Sequence, residues 1–434
     1  MSHYKPYPAY KDSGVEWLGR VPEHWGIRSV KTLARLDGGA GFPDDEQGQS
    51  DNPIPFFKVA ELASGLRYTA NTVTEETAKR LGAKIFPPST LVFAKVGAAL
   101  LLNRRCLLEM PACLDNNMMA LLPGAYESQW LYWVFSTLDM GLIVNPGAVP
   151  SINQEQVGNI RLGVPTTAEQ KSISQRLGRE TARIDALIEK KTRFIELLRE
   201  KRQALITHAV TKGLDPNVKM KDSGVEWLGE VPEHWEALPL RRVVTAVKTG
   251  GTPSEEQPSP DADGLAWYTP GDFGNSLVLS SSEKRVSALA VSSGEAKVYP
   301  AGAVLVVSIG ATLGKVGYLV EPASANQQIN AVIPNSRLSG YFLAYSLSVK
   351  TEAMWFLANA ATIGIMNQEK AKEIWLAVPS PSEQKVITDY LDKGTGRLDS
   401  LIGKTERSIE LLKERRSALI TAVVTGQIDL REAL

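Results

Sequence analysis

Asn116, Asn117, Gln327 and Gln328 are the residues of this chain best equipped for recognition chemistry. An Asn or Gln amide places a donor beside an acceptor, the pattern that pairs bidentately with an adenine edge. The two pairs occupy matched contexts. LDNNMMALLP runs from Leu114 to Pro123 and ANQQINAVIP from Ala325 to Pro334, and Asn326 belongs to the second. Lys95, Arg104, Arg105 and Lys315 lie next to glycine turns at Gly97, Gly310 and Gly314. Such cations read guanine or meet phosphate. TGGTPS, from Thr249 to Ser254, offers backbone N–H groups to phosphate through Thr249 and Thr252. Lys58 and Thr269 hold the same place in IPFFKVAEL and LAWYTPGDF, and Asn153 and Asn367 open matched Asn-Gln-Glu loops. Any one of these residues could equally cap a turn. As a set on matched loops they point to a polymer-binding face.

Catalytic chemistry is not expected. Gly310 to Lys315 approaches a phosphate-binding loop, but it is one residue short of GxxxxGK[ST] and Val316 stands where the hydroxyl belongs. Asn145-Pro146-Gly147-Ala148 echoes an amino-methyltransferase motif but lacks its second proline and its aromatic residue. The histidines, His3, His24, His208 and His234, have no zinc-site spacing, so no metal is expected. Cys106 and Cys113 are the only cysteines and read as small core residues, compatible with a reducing, cytoplasmic setting.

The elements that must position these loops are repeated. KDSGVEWLGRVPEHW from Lys11 returns as KDSGVEWLGEVPEHW from Lys221, differing only at Arg20 versus Glu230. VPTTAEQKSISQRL from Val164 returns as VPSPSEQKVITDYL from Val378, and IELLREKRQALIT from Ile195 as IELLKERRSALIT from Ile409. The offset is 210 residues at Lys11/Lys221 and 214 at Ile195/Ile409, so the second insert is four residues longer. A period this long is a domain duplication rather than a solenoid. The expected organisation is a terminal segment (1–25), a globular domain (26–165), a long helix (166–213), a repeated opening segment (214–235), a second globular domain (236–379), and a helix with tail (380–434).

Both helices carry a heptad seam. Leu177, Ile184, Leu198 and Leu205 lie at d, with Ile188 and Ile195 at a; Leu391, Leu398, Leu412 and Leu419 lie at d in the second copy, with Ile402 and Ile409 at a. Polar breaks recur at Thr181/Thr395, Lys191/Thr405 and Arg202/Arg416, where they could set register. Thr166 and Glu169, like Ser380 and Glu383, have capping-box spacing. The simplest arrangement is an antiparallel coiled coil between the two helices. At ~1.5 Å per residue, about 44 residues give about 66 Å, close to two turns of B-form DNA. The fold class is then α+β, with two globular domains of mixed strands and helices, two long paired helices, and internal pseudo-twofold duplication.

The 434-residue chain has formal net charge zero, which departs from a lone basic binder of nucleic acid. No run of about 18 apolar residues occurs, so no membrane span is expected, and MSHYKPYPAY holds no apolar core of a secretion signal.

Two near-identical frames around two divergent inserts resemble the specificity subunits of type I restriction–modification systems, and the resemblance covers nearly the whole chain. Its carriers are DSGVEWLG..VPEHW and the P..EQ helices, each present twice. The resemblance implies two target-recognition domains, each reading one half of an asymmetric, split sequence in double-stranded DNA. It implies that the helices set half-site spacing and dock methyltransferase subunits, and that a motor nuclease joins later. It also implies that catalysis, with S-adenosylmethionine, ATP and Mg, belongs to those partners. Gln328→Ala is expected to affect a single half-site. The alternatives are a subunit that serves methylation alone, or a scaffold that binds peptides.

Overall fold

The computed structural model describes residues 4–122, 124, 126–145, 147–253, 257–274, 276–358 and 364–433. Pro123, Pro146 and Ser254, which fall within three of the motifs above, lie outside the described residues. The chain forms two compact units, Met1–Lys191 with Arg407–Leu434, and Thr192–Glu406. Each contains one opening motif, one insert and a length of both long helices. Among the described residues, no helix is long and apolar enough to cross a membrane.

The central helix spans Thr167–Lys212 and the C-terminal helix Pro381–Val424. Each ends at a glycine with positive φ, Gly213 at 77° and, after Thr425, Gly426 at 73°, conformations that favour glycine. The helices pack together with opposed directions: 167–191 lies in one unit with 407–424, and 192–212 lies in the other with 381–406. Leu177, Ile184 and Leu419 are buried in the first unit, with Ile188, Ile409 and Leu412 half-buried. Ile195, Leu198, Leu391, Leu398 and Ile402 are buried in the second, with Leu205 half-buried. Burial also takes in Ile173, Ile206, Ile387 and Ile420, off the seam, because the insert and the opening motif cover a second stripe of each helix.

The threonines among the polar breaks do not act as the seam suggested. The Thr181 hydroxyl donates to Leu177 O at 2.7 Å, Thr395 to Leu391 O at 2.8 Å and Thr405 to Leu401 O at 2.7 Å. Each is satisfied inside its own helix and reaches no partner across the seam. The break at Arg202/Arg416 does cross between the helices, as charge. Arg416 Nε lies 2.8 Å from Asp185 in the first unit, and Arg202 Nε lies 2.9 Å from Asp399 in the second. The repeat offset of 214 maps Asp185 on Asp399 and Arg202 on Arg416, so one contact is made twice.

The P..EQ motif clamps three pieces of chain. Glu169 N donates to Thr166 Oγ1 at 3.3 Å, one half of a capping box, but the Glu169 carboxylate turns away to the opening motif. It accepts Tyr7 OH at 2.7 Å and Trp25 Nε1 at 3.3 Å, and meets His24 Nε2 at 2.9 Å. Glu383 repeats this with Trp235 Nε1 and His234 Nε2, both at 3.1 Å, and has no tyrosine. The neighbouring Gln170 accepts Glu127 N at 3.1 Å, and Gln384 accepts Ser339 N at 2.7 Å, so each holds the start of the aromatic helix that follows, Ser128–Thr137 or Gly340–Ser348. Trp25 and Trp235 are fully buried. Sequestering roughly 200 Å² of indole contributes about 5 kcal/mol before ordering costs.

Each insert is built on a twisted sheet. In the first unit, strands Arg35–Gly38, Met118–Leu122, Leu91–Ala94 and Arg105–Leu107 lie side by side and antiparallel. In the second, the order is Val244–Thr249, Ile329–Pro334, Val304–Val307, Val316–Leu319 and Val278–Leu279. The inner strands Leu91–Ala94 and Val304–Val307 are buried throughout, which is why they read as unbroken apolar runs rather than alternating ones. A smaller sheet stands beside each: Cys113–Leu114, Ile54–Phe57, Thr72–Val73, and its counterpart Ser324–Ala325, Ala266–Tyr268, Lys284–Arg285.

Candidate nucleic-acid interface

In each unit the loops at one end of these sheets converge on a single turn. In the first unit that turn is Asp115-Asn116-Asn117. The buried Asp115 accepts Asn117 N at 3.0 Å and Val59 N at 2.9 Å. In the second, the buried Asn326 accepts Gln328 N at 3.0 Å. A glycine presses on each turn: a Cβ on Gly39 would stand 1.9 Å from Asp115 O, and one on Gly250 2.0 Å from Asn326 O. The ends of strands Ile54–Phe57 and Ala266–Tyr268 close from the other side, Asp115 N donating to Phe57 O at 2.9 Å and Asn326 N to Tyr268 O at 3.0 Å.

A further pair of loops completes the cluster by matched backbone bonds. Lys95 N donates to Asn117 O and Ser308 N to Gln328 O, both at 2.8 Å. Ile152 N donates to Lys95 O and Gly97 N to Pro150 O, at 2.9 and 2.8 Å. In the second unit Met366 N donates to Ser308 O and Gly310 N to Gly364 O, at 2.9 and 3.2 Å. Two inserts with little sequence in common thus use the same backbone scaffold and differ in the side chains it displays.

The structure separates the expected recognition residues into displayed and structural ones. Asn116, Gln327, Arg104 and Thr252 are exposed, and Thr252 Oγ1 donates to Gln327 Oε1 at 2.9 Å. Asn117, Lys58 and Lys95 are half-buried at the rim, with Lys58 Nζ donating to Gln47 Oε1 at 2.8 Å. Gln328 is half-buried and accepts Asn326 Nδ2 at 3.2 Å, so Gln327, at the apex, replaces it as the displayed amide. Lys315 Nζ donates to Phe273 O at 2.9 Å, and Thr249 Oγ1 to Asn330 Oδ1 at 2.8 Å.

Four expectations change. Arg105 turns inward, donating to Asn103 O at 3.1 Å, Asn103 Oδ1 at 3.0 Å and Leu138 O at 2.9 Å, and burial pulls its pKa down to about 10. It is a strap for the aromatic helix, not a phosphate contact. Asn153 and Asn367 are helix N-caps, accepting Gln156 N at 2.8 Å and Lys370 N at 2.9 Å. Thr269 caps a short 3-10 turn by donating to Asp272 Oδ2 at 2.8 Å. All three polar groups spend their hydrogen bonds locally. The sequence reading missed Lys297, whose Nζ donates to Thr249 O and Gly250 O at 3.0 and 3.2 Å, placing a cation beside the second turn. No motif marks it, because it comes from a separate loop. Among the described residues no cluster of metal-ligating side chains occurs.

Two solved structures share this architecture. A chain described in a study of complex assembly and conformational transition of the type I R-M system superposes with TM-score 0.74, at 14% identity, over 94% of this chain and 99% of that one. The HsdS subunit from Thermoanaerobacter tengcongensis gives TM-score 0.55 at 15% identity, over 94 and 98%. Residues 232–411 match the family model of the type I restriction modification DNA specificity domain. In its second half the chain is thus similar to the type I specificity domain, and its fold is that of these two solved structures.

Particular relatives are distant. Over 191 residues the chain is 25% identical to the MjaIX specificity subunit of Methanocaldococcus jannaschii, covering 43% of each chain. Over 209 residues it is 27% identical to the EcoR124I/EcoR124II specificity subunit of Escherichia coli, covering 46% of this chain and 48% of that one. The chain spans about half the length of these curated relatives.

Proposed function

We propose that this chain is the DNA-reading subunit of a type I restriction–modification complex, with each globular domain reading one half of a split target. The observation that carries this reading is the repeated loop scaffold, which displays Asn116 in one domain and Gln327 in the other. Constant backbone with different displayed amides is what two unequal half-sites require. Exposed cations such as Arg104 position each domain on phosphate, while the displayed amides address base edges. The paired helices carry the gap between half-sites. The chain contributes recognition and assembly; methyl transfer and DNA cleavage fall to methyltransferase and motor-nuclease partners, which would bring S-adenosylmethionine, ATP and Mg.

A map of methylated bases in the source genome, with and without this gene, tests the proposal. Loss of one motif with two unequal halves around a fixed gap is the expected result. An intact map in a strain whose methyltransferase partner is expressed would refute it.

A further inference from the structure

The two most exposed large apolar side chains among the described residues are Leu142, 83% exposed, and Phe356, 81% exposed. They hold the same place in the two inserts. Each lies between the aromatic helix, Ser128–Thr137 or Gly340–Ser348, and the short helix capped by Asn153 or Asn367. Each precedes the loop that is bonded to the Gly97 or Gly310 turn, through Pro150 and Ile152 or Gly364 and Met366. Both side chains therefore sit on the element that leads into the loop scaffold displaying the recognition residues.

A single exposed apolar side chain is ordinary on a protein surface, so exposure alone assigns no contact. Its recurrence at one place in two divergent inserts marks a contact made by each domain. The contact is not one partner met twice. Residues that keep a common neighbour in both copies are nearly unchanged, as in the opening motif. Here the side chain changes from leucine to phenylalanine, and its support changes from a 3-10 turn at Met140–Leu142 to the helix Thr351–Ala358. That variation follows the half-site. Leucine and phenylalanine are also the residue types that proteins wedge between base steps.

We propose that Leu142 and Phe356 are apolar wedges, each entering a DNA groove and packing against bases at the margin of the half-site its own domain reads. This rests on the DNA-reading function proposed above. A wedge of this kind would recruit sequence-dependent deformability to specificity at steps where no hydrogen bond is made.

The test uses the full chain co-expressed with its methyltransferase partner and a duplex carrying the split motif from the methylation map. 2-Aminopurine is placed in turn along each half. The wild-type complex should raise fluorescence at one marginal step in each half. Phe356→Ala should abolish the rise in one half only and weaken binding about 10- to 100-fold, the range of aromatic–base stacking. Leu142→Ala should act on the other half alone, and Phe356→Leu should restore most of the fluorescence. Thermal melting of the free complex should not move, because neither side chain is packed. Unchanged affinity and fluorescence in both alanine variants would overturn the proposal. So would loss of the methyltransferase from the Phe356→Ala complex in the absence of DNA, which would make the residue a protein contact. Wild-type protein that ignores the split duplex would instead remove the DNA-reading function on which the wedge depends.

Discussion

Replacing Glu169 by alanine should destabilise the first compact unit more than Glu383→Ala destabilises the second. Glu169 is 3% exposed and accepts two donors that have no water to fall back on, Tyr7 OH and the fully buried Trp25 Nε1. A buried donor left without a partner costs about 1–3 kcal/mol. The His24 contact adds little, because the His24 side chain is 46% exposed and solvent screens the pair. Two orphaned donors therefore predict a loss of about 3–4 kcal/mol. Glu383 accepts a single buried donor, Trp235 Nε1, and its side chain is 30% exposed, which predicts about 1–2 kcal/mol. Hydrogen exchange measured in urea on peptides from residues 11–25 and 221–235 should resolve the two, since these segments lie in different units. Tyr7→Phe should cost about 1 kcal/mol alone and almost nothing on top of Glu169→Ala, because the two remove one interaction. Equal losses for the two glutamate variants, or a fully additive Tyr7→Phe, would refute the clamp.

Asn116→Ala and Gln327→Ala should each weaken recognition of a single half-site by about 1–3 kcal/mol, measured by competition between duplexes altered in one half. Arg105→Ala should lower the melting temperature while leaving the salt dependence of DNA binding unchanged, since its guanidinium faces Asn103 and Leu138 O. Arg202→Asp should cost about 1 kcal/mol, and adding Asp399→Arg should recover most of it in a double-mutant cycle. Burial pushes the Cys113 thiol up from 9.0 to about 11 and the Cys106 thiol up to about 12. Both should resist a thiol reagent at pH 8 in the native chain and react after unfolding. Because the folded values are raised, the thiols favour the folded state below the unfolded value near 9, and this contribution is lost as pH rises from about 9 through 11 to 12.

Much of this fold was legible from residue spacing. The duplication, the heptad seam and the pairing of inserts by LDNNMMALLP and ANQQINAVIP all depend on local periodicity or on direct repetition, which a chain displays in order. The site was legible only in part. Asn116 and Asn153 are both loop asparagines beside short elements, yet one is displayed and the other caps a helix. The difference is whether a backbone N–H three residues on is already satisfied, which is a property of folded geometry. Arg104 and Arg105 differ likewise: Arg104 precedes the strand and is exposed, Arg105 opens it and turns inward, and only the fold decides which is wet. The role of Glu169 was concealed because capping-box spacing has an adequate local explanation, while its actual partners come from Tyr7, His24 and Trp25, far back in the chain.

The doubled ion pair has a consequence for inheritance. Asp185 meets Arg416 and Arg202 meets Asp399, so every partner needed by one helix is also encoded in the other. A gene that exchanged one insert for another, with crossovers in the two near-identical opening segments, would return a chain whose helices still find the same charges and the same clamps. Whole inserts could thus be traded together with the central helix, and the charges and clamps of the frame would be retained.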